Sequence, residues 1–264
     1  MQKIHFTTML ALALGCAALL SPPPAAQASG GHDAPAAPQK SAATRMKEAV
    51  EGNDKFTASH KSHDFDAYQA SQAPGITLVS CSDSRVHTDL FGIDPHNNLF
   101  VIRNIGNQVK NAEGSVDYGV RHLPTKVLMV LGHSSCGAVK AAMGDYSTET
   151  RGIKAELDNL KPVIAADDQA GDPALRWGKN VERNVDFQVK TAMELYGDKI
   201  RNGELTVVGA VYDFNNHYGK GRGKLVVTNI NGETDPNQIM ANPVLTELPK
   251  GTVVDHVGSQ APAL

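Results

Sequence analysis

Two short stretches hold the residues best suited to chemistry, Cys81-Ser82-Asp83-Ser84-Arg85 and His133-Ser134-Ser135-Cys136. Together they offer two thiols and an imidazole, three of the four ligands a tetrahedral zinc takes, and a catalytic zinc keeps its fourth position for water. His133 and Cys136 are close enough in the chain to reach one metal from a single turn, whereas Cys81 must arrive from a distant segment. An H-x-x-C pair alone is a weak signal. Cys81 strengthens it, because Cys81 and Cys136 are the only cysteines left once the N-terminal segment is removed. Two other readings of the thiols stay open: small buried hydrophobes, or a disulfide between them if the chain is exported.

Asp83 and Arg85 follow Cys81 directly. A carboxylate there can take the fourth ligand position or accept a hydrogen bond from metal-bound water. A guanidinium two residues on holds it off the metal in a charge-assisted, bidentate pair. Without the neighbouring cysteine the two would read as a surface ion pair of little energetic worth.

C-S-D-S-R followed by G-H-S-S-C-G resembles the paired motif of the β-class carbonic anhydrases, zinc enzymes that interconvert carbon dioxide and bicarbonate, and in particular their plant-like subgroup. The resemblance runs from about Arg45 to about Val227. It implies one Zn2+ per subunit on Cys81, His133 and Cys136, with Asp83 and Arg85 as the catalytic dyad. It further matches Gln72 to a glutamine that hydrogen-bonds substrate, Phe100, Ile105 and Tyr118 to the wall of the carbon dioxide pocket, and Gly137 to the glycine bordering it. In the family Gln72, Phe100 and Tyr118 come from a partner subunit, so the resemblance implies a homodimer or tetramer. On their own these three read as a polar loop residue, a strand core residue and a helix core residue.

A second subgroup of that family closes its site by moving the aspartate onto zinc and binds bicarbonate in a regulatory pocket marked by a tryptophan. Leu78 stands in that place here, although Arg103 matches the pocket's arginine, so an open site without that regulation is expected. Zinc lowers the pKa of water from about 16 toward 7, a value known from carbonic anhydrases with three histidine ligands. Two thiolates donate more charge and weaken that effect. His87 is one candidate among ten histidines for a proton shuttle. Two alternatives share the motif: hydrolysis of carbon disulfide or carbonyl sulfide on the same fold, and a non-enzymatic exported zinc protein.

The elements that must position these residues are legible as an alternation of strands and helices. Ile76 to Val79, Leu99 to Ile102, Val127 to Leu131 and Leu205 to Val211 are short apolar runs of the kind buried parallel strands give, and Leu225 to Ile230 reads as an edge strand. Helical patterns lie between them at Gly114 to Leu123, Ala138 to Met143, Gly152 to Ile164 and Leu175 to Tyr196. The expected fold is α/β: a mostly parallel sheet of four strands plus an edge strand, flanked by helices, with an N-terminal helical arm. Ligands in such sheets bind beyond the carboxyl ends of strands, where Cys81 and His133 fall. Trp177, Val181, Val185 and Val189 read as core or subunit contact, and Asn215 to Gly223 as a hairpin connection rather than a phosphate loop.

Residues 1–28 read as a signal peptide: Lys3 and His5 precede the apolar run Met9 to Leu20, and Ala26-Gln27-Ala28 offers a cleavage site after Ala28. A periplasmic, exported bacterial protein is expected, with no stable membrane span. A lipidated Cys16 is the rival reading, against which Ala13 counts. Residues 29–44 read as a disordered tether, and 45–264 as one domain whose first helix presents Met46, Ala49 and Val50 on one face. With 264 residues, 41% of them hydrophobic, the chain can bury one substantial core, and a net charge of −3 gives no reason to expect nucleic acid.

Overall fold

A computed structural model describes residues 38–167 and 169–260; the expected leader, residues 1–28, lies outside them. The five expected strands are all present: β1 (Ile76–Cys81), β2 (Leu99–Asn104), β3 (Val127–His133), β4 (Thr206–Asp213) and β5 (Lys224–Ile230). They form one sheet in the order β2-β1-β3-β4-β5. The first four are parallel and β5 runs antiparallel to β4. β1 and β3 therefore end together at the same edge, with Cys81 and His133 as their last residues.

The helices are α1 (Ala42–Ser59), α2 (Glu113–Asp117), α3 (Gly137–Ala142), α4 (Arg151–Asp158), α5 (Lys161–Ala165), α6 (Pro173–Arg201), α7 (Pro236–Met240) and α8 (Lys250–His256). One face of the sheet packs on α6, whose Val181, Val185, Val189 and Ala192 join Val79, Leu128, Val130, Val207 and Val211 in a continuous core. Small strand residues let the helix approach. A Cβ on Gly132 would stand 2.6 Å from Val185 Cγ2, and one on Gly209 2.7 Å from Val185 Cγ1. On the other face Leu78, Met129, Leu131, Val208 and Ala210 are covered by Ile239, Val253 and Val257 from the C-terminal helices. That cover has no counterpart in the sequence reading, since α7 and α8 are too short to show a period.

Three expectations shift. The stretch Gly152 to Ile164 is two helices rather than one, because Pro162 lacks an N–H and its ring collides with the carbonyl four residues back, which is Asp158, the last residue of α4. Gly114 to Leu123 begins as α2 and widens into a π-helical turn over Tyr118–His122. The arm starts at Ala42, three residues before Arg45 and inside the expected tether, because Ser41 Oγ accepts the N–H of Thr44 and caps it. Its apolar face is uncovered: no residue of α1 is buried, and Met46 and Val50 are 63% and 56% exposed.

Candidate active site

Cys81 ends β1, His133 ends β3, and Cys136 caps the start of α3. Their ligand atoms lie within 4.8 Å of one another, in the one such group found among the described residues. All three side chains are buried. His133 Nδ1 is bonded to the Ser134 carbonyl at 2.9 Å, which places the proton on Nδ1 and leaves Nε2 as a lone-pair donor. That Nε2 has no hydrogen-bond partner although it is fully buried. An unpaired buried acceptor is costly, and a metal between it and the two sulfurs removes the cost. Two soft thiolates with one imidazole suit zinc.

The chain by itself prepares one sulfur of the pair for the anionic state. Cys81 is pulled down to about 4, first by the Cys136 thiol donating to it, against burial, with help from the N–H of Gly106. Gly106 makes that contact at φ +81°, a left-handed conformation suited to glycine. Cys136 is pushed up because the two thiols share one negative charge and burial disfavours a second. A divalent cation reverses that second effect. The carbonyl of Cys136 accepts Trp177 Nε1 at 2.9 Å, so a residue expected in the core or in a subunit contact also fixes the ligand loop.

Asp83 and Arg85 form the expected fork: Nε donates to Oδ1 at 2.9 Å and Nη2 to Oδ2 at 2.6 Å. The Arg85 backbone N–H adds a further bond to Oδ1. Asp83 Oδ2 also lies 3.8 Å from His133 Nε2, on the border of the metal position. Arg85 holds the Asp83 carboxyl down at about 2, so it stays ionised and can only accept a hydrogen bond. Arg85 itself is steadied by the Ser135 carbonyl at 3.1 Å and by the Phe214 ring at 4.9 Å.

A family model described as carbonic anhydrase matches residues 76–221, more than half of the chain. The chain belongs to the carbonic anhydrase family. Carbonic anhydrase 2 of Mycobacterium tuberculosis is 27% identical over 188 residues, spanning 66% of this chain and 90% of the relative. The Pseudomonas aeruginosa carbonic anhydrase is 30% identical over 186 residues, spanning 64% and 83%. Among solved structures, the Coccomyxa β-carbonic anhydrase in complex with acetazolamide matches with a TM-score of 0.61 at 28% identity, covering 76% of this chain and 92% of that one. A tetrameric β-carbonic anhydrase from Sordaria macrospora matches at 0.58 and 28%, covering 64% and 92%. The mostly parallel five-stranded sheet flanked by helices is the fold of these β-class enzymes.

Within this carbonic anhydrase chain, the expected pocket residues divide between two ends of the sheet. Gly137, with open space over its Cα, follows Cys136, and Ile105 follows β2 at the same carboxyl edge as the ligands. Phe100, Tyr118 and Gln72 do not join them. Phe100 pairs with Thr77 near the start of β1, while the partner of Cys81 is Asn104. Four residues along a strand separate the two by about 13 Å. Tyr118 packs on Phe100 with ring centroids 5.8 Å apart and is 49% exposed, and Gln72 is exposed just ahead of β1. Arg103 donates to the carbonyls of Cys81 at 3.0 Å and Asp83 at 2.8 Å, bracing the ligand turn. His87 and Leu78 line a cavity of about 240 Å³ with Ser80, Val101 and Arg103, on the sheet face opposite that of Val79 and Cys81.

One functional residue was not read from sequence. Asp213, at the end of β4 and fully buried, accepts Ser134 Oγ at 2.7 Å. It thereby orients the residue whose carbonyl holds His133 Nδ1. Its position at the end of an apolar strand, on the carboxyl edge, is the signal the sequence carries.

Proposed function

We propose that the chain is a zinc-dependent carbonic anhydrase that reversibly hydrates carbon dioxide to bicarbonate and a proton, with one Zn2+ per subunit on Cys81, His133 and Cys136. The observation that carries the reading is the buried, unpartnered Nε2 of His133 facing two sulfurs, with an ionised carboxylate at its border. Zinc in that site supplies Lewis acidity, which makes a nucleophilic oxygen available near neutral pH. Asp83, fixed by Arg85, accepts a hydrogen bond from that nucleophile and aims its lone pair. Gly137 and Ile105 leave an apolar, open approach for an apolar gas.

The rest of the apolar wall, Phe100 and Tyr118, with Gln72 as a donor to substrate oxygen, comes in this reading from a second subunit, so the active unit is a homodimer or a larger assembly of dimers. Support comes from the separation of these residues from the ligands of their own chain, and from the bare apolar face of α1. The leader-like residues 1–28 support export to the periplasm. No helix among the described residues is long and apolar enough to cross a membrane.

The test is Asp83→Asn in the mature chain from Ser29, with zinc counted per subunit and carbon dioxide hydration followed in the same sample. Retained zinc with hydration lowered about 10²- to 10³-fold is expected, the cost of losing one oriented catalytic contact. Full activity in that variant overturns the role of the dyad. Zinc without hydration in the unmodified chain turns the assignment toward carbon disulfide or carbonyl sulfide, or toward a metal that only holds the fold.

A further inference from the structure

The loop carrying His133 and Cys136 is held from behind by the connection between β4 and β5. Asp213 takes the Ser134 hydroxyl, and Asn215 Nδ2 donates to Ser135 Oγ at 2.7 Å. That connection, residues 214–223, is built of turns and three glycines at positive φ, so its own backbone does little to fix it. Tyr218 does more. Its N–H donates to Asp213 Oδ2 at 2.9 Å, and its phenol donates to Glu182 Oε2 at 2.6 Å.

Glu182 stands on α6 at 2% exposure. Its carboxylate also accepts the Ser259 hydroxyl at 2.6 Å and the Gln260 N–H at 2.8 Å. The C-terminal segment is thus strapped to the same group as the hairpin. Two neighbours support that seating: Gly258 N–H donates to the Val227 carbonyl at 3.3 Å, and Val257 bridges Val227 as a short parallel extension of β5. Gly258 is also a close fit, since a Cβ there would stand 3.2 Å from the Tyr218 ring.

We propose that Glu182 and Tyr218 are positioning residues for the metal centre, and that they transmit the seating of the C-terminal strap, residues 257–260, to His133 by way of Asp213 and Ser134. The inference rests on the metal reading above. The links run from Glu182 to Tyr218, from Tyr218 to Asp213, from Asp213 to Ser134, and from the Ser134 carbonyl to His133 Nδ1, each between 2.6 and 2.9 Å. A carboxylate is acceptor-only, so Glu182 and Asp213 collect donors from separate segments and tie them together. A buried polar network is held by the whole of its connections, and a link lost at one end loosens the ligand at the other.

The experiment uses the full mature chain loaded with cobalt(II), whose visible bands report ligand geometry, and follows release of the metal to a chelator. Tyr218→Phe keeps the ring and removes the phenol donor. Outer contacts of metal ligands are worth about 10- to 100-fold in affinity or activity, and at this remove release about three- to tenfold faster, with shifted cobalt bands, is expected. Tyr196→Phe is the control: a buried tyrosine on α6, whose phenol donates to Asp117 at 2.9 Å, far from the hairpin that carries Tyr218. It should leave both readouts unchanged. Truncation after Gly258 removes Ser259 and Gln260 from Glu182, and should speed release as Tyr218→Phe does; it carries the test alone if that variant does not fold. Wild-type release rates and bands in both altered chains overturn the proposal, as does equal acceleration in Tyr196→Phe, which reduces the effect to general stability. A wild-type chain that takes up no cobalt overturns the metal reading itself.

Discussion

The two ends of the central strands are built to opposite standards. At the carboxyl end Cys81, His133 and Cys136 are buried at 4% exposure or less, the backbone around them is bonded by Arg85, Arg103 and Trp177, and the Ser134 hydroxyl is held by Asp213. At the amino end Tyr118 is 49% exposed over a half-buried Phe100, and elsewhere Met46 and Val50 of α1 stand in solvent at 63% and 56% exposure. Large apolar groups left in solvent, as Tyr118, Met46 and Val50 are, are the kind a contact surface uses. The difference teaches that one chain gathers three residues able to hold a metal and leaves Phe100 and Tyr118 apart from them, as the reading proposed above requires.

The largest expected effect is at the complete end. Cys136→Ser should lower zinc from about one per chain to near zero and take carbon dioxide hydration to background, while the far-ultraviolet circular dichroism of the sheet and helices persists. A ligand turn that also holds the fold together would instead unfold with the metal. Comparing the spectra of the two chains separates those outcomes.

The incomplete end gives a smaller and more discriminating effect. Tyr118→Ala should keep its zinc and lose about tenfold in kcat/KM, the equivalent of about 1.4 kcal/mol of transition-state binding. If the wall is supplied across an interface, mixing Tyr118→Ala chains with inactive Cys136→Ser chains should raise activity above the sum of the two. In the mixed dimer the zinc of one chain then meets the intact wall of the other. Strict additivity would assign Tyr118 to its own chain's site, against the distance argued from strand register.

Legibility from sequence followed the same division. The carboxyl edge could be read because its chemistry sits at strand ends: short apolar runs marked β1 and β3, and the residues after them could only lie on one edge. The dyad followed from two residue types next to a ligand. The dependence of Phe100 and Tyr118 on another chain was implied by resemblance alone, for a half-buried strand phenylalanine and a helical tyrosine look like any core pair. Asp213 and the C-terminal strap went unread because their role is to meet segments more than seventy residues away, as Asp213 meets Ser134 and Ser259 meets Glu182. The break between α4 and α5 was marked by Pro162, and a stricter use of the proline rule would have placed it.

Between the two ends, α6 carries a carboxylate that tests how dry the packed half is. Asp186 is pushed up to about 7, first by burial, with Glu182 adding repulsion and the Asn229 amide opposing it. Below about pH 4 the group is protonated in both folded and unfolded chains and has no effect on their balance. Between about 4 and 7 only the unfolded chain releases the proton, so stability falls as pH rises, and above about 7 the full penalty is present. Asp186→Asn still accepts from Asn229 and never ionises. Its gain in urea stability should be near zero at pH 4 and grow to at most about 4 kcal/mol at pH 8, at about 1.4 kcal/mol per unit. A gain independent of pH would mean that the group stays hydrated.

The smallest effect on the chain itself is expected in the arm, where the comparison is most exposed to failure. Met46 and Val50 lie one turn apart on α1 and are largely in solvent. Replacing both by Lys removes no buried side chain from the chain, so the stability of the isolated subunit should move by less than about 0.5 kcal/mol. If the bare face is covered by a second copy, the same change places two charges in an apolar contact and should shift sedimentation from the assembled mass toward the monomer at micromolar concentration. Activity should then fall with concentration, because the wall is lost when the copies part. An unchanged mass with unchanged activity would leave the arm's apolar face without a partner, and would put the whole burden of the interface on the region around Phe100 and Tyr118.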